Sequence, residues 1–345
     1  MRSIRSRRKR FLKTEEYIPE DSFNRLNDAY FKYVLASPER KYLTINFINA
    51  VLSYQPPEGE EPVVIKDVEF LDRETVPLSK YDKIPRFDLF AQSTDGRYFH
   101  VEVQNIPEKH FTKRSLYYAF LDYTSQVHKG INYGELKPVI FIGIMNFNLF
   151  GDASDQREWY TLHKFLNVKT HKNNFEDIEF HMIEIPVLRR QLRKSAVVPN
   201  SNSKLEELLC FWSCKEGDKR MNALVDEIAE KNSDVADMLE LERVFRMDPL
   251  MIRRYLIEER AHLDYVANMK ESREEGIEVG IEKGIKKGRK EGREEGRKEG
   301  RKEGREEGRK EGREDSARRL RSQGVMSDEQ IASVLDIPLE TVKTL

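Results

Sequence analysis

The run RYFHVEVQ at 97–104 sets a carboxylate and an amide two positions apart among valines and aromatics. Side chains of a strand alternate between its two faces. Phe99, Val101 and Val103 therefore share one face, and His100, Glu102 and Gln104 share the other. A polar face on a strand this apolar calls for a chemical reason. The preceding segment FDLFAQ at 87–92 also reads as a strand, and Ser93-Thr94-Asp95-Gly96 reads as the turn between them. A three-residue loop, Thr94 to Gly96, with Gly96 left-handed at a bulge, sets Ser93 opposite Arg97 and Asp88 opposite Glu102. A two-residue turn at Asp95-Gly96 would set Asp88 opposite Val103. The hydrophobic pattern selects the first register, because a slip by one residue turns every apolar side chain to the wrong face.

Carboxylates that face each other across a hairpin repel. A hard divalent cation relieves that repulsion, with Mg²⁺ the best match and Mn²⁺ an acceptable one. Such an ion can polarise a phosphoryl oxygen and activate a bound water. Asp88, Glu102 and Gln104 thus form a candidate centre for metal-dependent phosphodiester hydrolysis. The competing reading pairs the carboxylates with Arg86 or Arg114 in a purely structural role.

Other elements must position this patch. NDAYFKYVLA at 27–36 reads as a helix, and a second helix follows Ser37-Pro38, with Ser37 as its N-cap, and runs to about Leu52. Strands are expected over 63–71, 86–92, 97–104, 138–147 and 178–185, and a helix over 111–129 closed by Gly130. Helix, helix, three strands, helix, strand makes an α/β mixed sheet flanked by helices. From about 196 to 270 the pattern is that of a helical extension.

Charged residues are 35% of the 345 and the net charge is −1, so no global field selects or excludes nucleic acid. Residues 1–19 form a basic arm. Its first 13 residues hold seven basic side chains and no acid, without the apolar stretch of a signal peptide. The arm can touch phosphates or remain a solvated tail. There is no run of about 18 apolar residues to span a membrane. Cys210 and Cys214 are read as core thiols of a reducing, cytoplasmic compartment.

Between 271 and 315 glycine recurs at every fourth residue from Gly276 to Gly312, in units close to Gly-Arg-Lys/Glu-Glu. Like charges stack at i, i+4 and each interior glycine costs about 1 kcal/mol relative to alanine, so an isolated helix there is marginal. Self-association, or a charged spacer, is the expectation. Residues 316–345 read as a small helix–turn–helix-like segment, with Ser327 and Gln330 as a capping box.

In combination, DAYFKYVL at 28–35, FLD at 70–72, FDLFAQSTDGRYFHVEVQ at 87–104, FTKRSLYYAFLDYTSQVHKGINY at 111–133, LKPVIFIGIMNFNLF at 136–150 and HMIEIPVL at 181–188 carry a resemblance. The chain resembles the Rpn family of recombination-promoting nucleases, also called PD-(D/E)XK nuclease family transposases, over 20–195. The resemblance implies a restriction-endonuclease-like core and a DNA endonuclease linked to recombination or mobile-element DNA. It implies Asp88 and Glu102 as metal ligands, with the Val103 carbonyl a third. Gln104 stands where many superfamily members carry a catalytic lysine; it can orient a water but carries no charge. Pro85 stands three residues ahead of Asp88, displaced from the usual motif. The family pattern also places the helix of Asp28 and Lys32 beside the site, with Asp28 as an outer acidic ligand and Lys32 as the missing cation; the alternative is a surface ion pair. Arg114, Tyr118, Asp122 and Gln126 form a polar stripe at i, i+4 that faces DNA phosphates or solvent. Gln126 and Tyr133 resemble a nuclease Gln–Tyr signature at a longer spacing. His100 either touches the metal or substrate, or is simply packed. The competing function is a nucleic-acid-binding or assembly protein with a weak or inactive nuclease fold.

Overall fold

The computed structural model describes residues 23–56, 59, 61–71, 88–151, 158–194, 203–214 and 217–345. The basic arm up to residue 19, Asp72, Pro85, Arg86 and Phe87 lie outside the described residues. The chain divides into two units, 1–266 and 267–345.

In the first unit, helix α1 (Asp28–Leu35) is capped by Asn27, whose side chain accepts from the Ala29 N–H. A 3₁₀ turn over Pro38–Arg40 leads into α2 (Lys41–Leu52). Ser37 does not cap it: its hydroxyl binds the Glu39 carboxylate instead. Among the described residues six strands follow, β1 (Val68–Phe70), β2 (Leu89–Ser93), β3 (Tyr98–Gln104), β4 (Val139–Met145), β5 (Tyr160–Leu166) and β6 (Asn173–Glu184), with α3 (Phe111–Thr124) between β3 and β4. They form one mixed sheet in the order β1-β2-β3-β4-β6-β5. The β3–β4 and β4–β6 pairs are parallel and the others antiparallel.

Alternation along β4 explains the two-layered core. Ile140, Ile142 and Ile144 join Val101 and Val103 in a cluster that also takes in α1 and α2. Val139, Phe141 and Met145 join Phe111 and Ala119 of α3 on the opposite face. This is why VIFIGIM is buried throughout.

The chain continues through α4 (Ile185–Lys194), α5 (Lys204–Ser213), α6 (Lys219–Ala229), α7 (Ser233–Met247) and α8 (Pro249–Gln323). Trp212, Phe245 and Tyr255 from these helices sit in the same core as Tyr30 and Phe31. The almost fully buried Arg25 reaches Glu242 at 2.6 Å, and the Tyr255 hydroxyl accepts the Asn24 N–H at 2.7 Å. The helical extension therefore holds α1 in place from behind.

The β2–β3 hairpin has the register expected from its pattern: Leu89 pairs with Val101 and Ala91 with Phe99, so Asp88 falls opposite Glu102. Gly96 sits at φ +93°, and its N–H closes onto the Ser93 carbonyl at 2.9 Å. A Cβ there would also come within 3.0 Å of the Lys137 side chain. Gly96→Ala is expected to destabilise the protein by about 1–2 kcal/mol, read as a lower thermal midpoint, because an L side chain resists this conformation.

Three expected boundaries shift, and one strand is added. The first strand is short, Val68–Phe70 rather than 63–71; α3 ends at Thr124 rather than Lys129; β6 begins at Asn173 rather than Ile178; and β5 is the additional strand.

In the second unit, α8 carries the glycine repeat as helix. A Cβ built on any glycine from Gly276 to Gly312 would meet nothing within 4 Å. The last residues form α9 (Asp328–Leu335), with the Ser327–Gln330 capping box present, and α10 (Leu339–Thr344). Ala317, Ile331 and Val342 form their small core.

Candidate active site

Asp88 immediately precedes β2, beside the end of β3. Asn105 ties that corner together: its amide donates to the Leu26 carbonyl at 2.6 Å and its oxygen accepts from Asn146 at 3.1 Å. This pins the start of α1 against the ends of β3 and β4, so Asp28 and Lys32 come to Asp88. Lys32 Nζ lies 2.8 Å from Asp28 and 3.3 Å from Asp88. The other Asp88 oxygen accepts the Val103 N–H at 2.6 Å.

The Gln104 carbonyl accepts from Asn146 on the β4 side. Strand alternation then turns the Val103 N–H and carbonyl together toward the Asp88 side.

Burial, and then hydrogen bonding to Asp28, push the Asp88 carboxyl well above the usual carboxylate range. Burial would raise Asp28 too, but its hydrogen bonds to Asp88 and Lys32 outweigh burial and hold it low. Lys32 is raised: burial works against its charge, and the two aspartates more than compensate. The expected Asp28–Lys32 pair is thus not an isolated surface contact, since it shares Asp88.

Glu102 has different partners. It is 3% exposed, and burial raises its pKa despite Arg114. One oxygen, Oε1, takes Arg114 and the Gln104 amide, the latter at 2.8 Å. The other, Oε2, is buried without a hydrogen-bond partner and lies 3.9 Å from His100 Nε2. Arg114 also binds Glu108. The first turn of α3 therefore delivers a cation directly onto the strand carboxylate, as the structural reading expected of Arg114.

Among the described residues no three acidic, histidine or cysteine groups cluster as a metal site. The donor chemistry of the hairpin nevertheless fits a hard divalent ion. Asp88 and Glu102 stand opposite in register but have separate partners, Asp88 meeting Lys32 of α1 and Glu102 meeting Arg114 of α3. What fits is the donor type: two largely buried carboxylates and the Val103 carbonyl are the hard oxygens such an ion takes.

The polar stripe on α3 does not form one line. Arg114 and Tyr118 are half-buried near Glu102, whereas Asp122 is fully buried and holds His100 Nδ1 at 3.2 Å. Tyr118 stacks on the His100 ring at 5.6 Å. His100 is accordingly a packed histidine. Gln126 spends both ends of its amide on the Lys137 backbone, at 2.8 and 2.9 Å, and so anchors the loop before β4. Tyr133 is 78% exposed. Sequence reasoning did not find Asn105, Glu108 or the His100–Asp122 pair. Only Asn105 carried a signal, as the polar residue that ends a buried strand.

Residues 25–272 match the family model described as PD-(D/E)XK nuclease family transposase. No curated protein and no solved structure matches the chain.

Proposed function

The chain belongs to the PD-(D/E)XK nuclease family transposases, and from that premise we propose that it is a metal-dependent DNA endonuclease acting in recombination or on mobile-element DNA. The observation that carries this reading is the hairpin register, which sets Asp88 opposite Glu102 beside the Lys32 helix. Asp88, Glu102 and the Val103 carbonyl would hold the ion, best Mg²⁺, with Asp28 outside them. When bound, such an ion supplies charge stabilisation and an activated water. The chain's own residues do the rest. Lys32 neutralises charge that develops at the phosphate. Gln104, already hydrogen-bonded to Glu102, orients a water without accepting its proton. Arg114, which pairs with Glu102, would be the cation on the α3 side available to a substrate phosphate were Glu102 to hold the ion.

Residues 20–195 are assigned to catalysis and 196–270 to its support. The glycine tail, 271–315, is assigned to self-association, its bare glycine positions leaving room for a second helix, and 316–345 to the same assembly. The basic arm, residues 1–19, adds phosphate contacts. No described helix is long and apolar enough to cross a membrane. The two buried free thiols suit a reducing cytoplasm.

A second reading, a DNA-binding or assembly protein with an inactive nuclease fold, is favoured by the Arg114–Glu102 pair and by Gln104 in the lysine position. Plasmid nicking separates the two. The nuclease reading expects Mg²⁺-dependent nicking that stops with chelator and falls about 100-fold or more in Glu102→Gln. Absence of nicking by the wild type favours the second reading, and equal nicking by both proteins would remove Glu102 from the chemistry.

A further inference from the structure

The end of the sheet away from Glu102 carries a feature that the catalytic reading does not use. β6 is longer than its neighbour: its pairing with β4 begins at Ile178, so Asn173–Asp177 reach past the sheet with only β5 beside them. Two-stranded ribbons are marginal on their own, and this one is also apolar. Phe175 is 75% exposed, and Phe165, opposite it in register, is 41% exposed. Phe120 of α3 lies against Phe165, ring centres 6.3 Å apart. Together with Tyr123 these rings line a hollow of about 340 Å³. Four aromatic side chains around an open hollow are not core packing, and an exposed patch of this kind marks a binding surface.

The ribbon's charge selects the occupant. Residues 162–175 hold three lysines, two histidines and no acid. Lys164 is paired with Glu179, but Lys169 and Lys172 are exposed at the tip. Glu176 stands at the base, and Asp177, which lines the hollow itself, accepts the Tyr123 hydroxyl at 2.6 Å. A basic tip on the same ribbon as the aromatic rings suits phosphates followed by unpaired bases, although Lys172 itself lines a hollow on the other face of the sheet, beside Ile140 and His181. Bases in a duplex hide their faces, whereas single strands offer them for stacking.

We propose that the β5–β6 ribbon and the outer face of α3 bind a single-stranded stretch of nucleic acid, with a base on Phe120, Phe165 and Phe175 and its flanking phosphates on Lys169 and Lys172. The proposal deepens the nuclease reading and rests on it for the identity of the strand. Arg114 at the catalytic end of α3 and Phe120 are six residues apart, about 9 Å along the helix. The substrate is then DNA with an unpaired segment close to the cut, rather than plain duplex.

The test uses the full chain in chelator, so that no cleavage intervenes, and follows the anisotropy of labelled oligo(dT) and of a duplex of equal length. Phe165→Ala with Phe175→Ala is expected to weaken oligo(dT) binding between about 5- and 150-fold and to leave duplex binding little changed. Both rings are substantially exposed, so the fold should survive, which circular dichroism checks. Lys169→Ala with Lys172→Ala should lower the salt slope for oligo(dT) by about 1.4. Unchanged oligo(dT) affinity in the aromatic variant overturns the proposal. So does loss of self-association by sedimentation with DNA binding intact, which would make the patch a contact between copies. Because nicking is read separately, failure of the catalytic reading would leave this binding result standing, and the reverse also holds.

Discussion

Asp88→Asn is expected to nick supercoiled plasmid about 10²–10³-fold more slowly than the wild type and, in chelator at neutral pH, to melt a few degrees higher. The first effect follows from removing one of two charged donors where developing charge must be held. The second follows from the cost of keeping that donor. Burial and Asp28 raise the folded pKa of Asp88 above its ordinary 3.8, so the fold favours the protonated carboxyl. A group raised in this way contributes stability below its unfolded pKa and loses it as pH climbs through the folded value. Metal-free wild type carries that cost at pH 7. Asparagine carries none at any pH, and its oxygen can still accept the Val103 N–H. The difference in thermal midpoint should therefore close as pH falls toward the ordinary 3.8 and widen as pH rises above it. Millimolar Mg²⁺ should raise the midpoint of the wild type and leave the variant where it was, because only a protein that binds the ion is stabilised by it. Equal nicking would remove Asp88 from the chemistry. A lower midpoint for the variant would show that the carboxylate stabilises the fold, contrary to its burial.

The hairpin was legible because three local signals agree there: alternation on both strands, a glycine that needs positive φ, and the penalty for a slipped register. Family membership and the mixed sheet were legible from the same stretch together with the apolar run of β4. The β5 strand was not legible, for a physical reason. Its outer half faces solvent with Phe165 and Leu166, so no buried face imposes an alternation on TLHKFL. Helix α3 was read five residues too long because QVHKG ends in a glycine, yet Gly130 serves a later turn at φ +93°. The glycine repeat was read as marginal helix from glycine propensity and from like charges at i, i+4; the structure has it helical, and its charges pair only in part, as in Lys286–Glu282 at 2.6 Å.

The partners of Glu102 expose a different limit. Spacing along α3 could show that Arg114, Tyr118 and Asp122 share a face, but not which of them that face would bury. The helix lies against the polar side of β3, so its stripe points partly inward. Arg114 meets Glu102, Tyr118 covers His100, and Asp122 is sealed beneath the helix. Contacts between residues 100 and 122 come from the packing of two elements, and no local pattern announces them.

That sealed pair carries the largest stability effect expected in the molecule. His100 and Asp122 are both fully buried, with Nδ1 and Oδ2 3.2 Å apart. Phe141 packs against the imidazole at 4.7 Å and Tyr118 stacks on it. Removing one partner of a buried polar pair leaves the other desolvated, which costs more than the pair contributes. Asp122→Ala should destabilise the protein by about 3 kcal/mol, which lowers the thermal midpoint of a unit this size by roughly 6–12 °C. His100→Phe, which removes the polar group and keeps a ring against Phe141 and Tyr118, should cost less. The double variant should cost less than the two single changes added together, by about 1–3 kcal/mol, if the contact is what couples them. Strict additivity would show that each side chain is held by something else. The pair also bears on the site, because His100 Nε2 looks toward the unpaired oxygen of Glu102. Loss of Asp122 removes one of the holds on that ring, beside which Glu102 Oε2 lies. Asp122→Ala assayed well below its midpoint should therefore show weaker dependence of nicking on Mg²⁺ concentration, while Tyr133→Ala, at an exposed position, should leave stability unchanged.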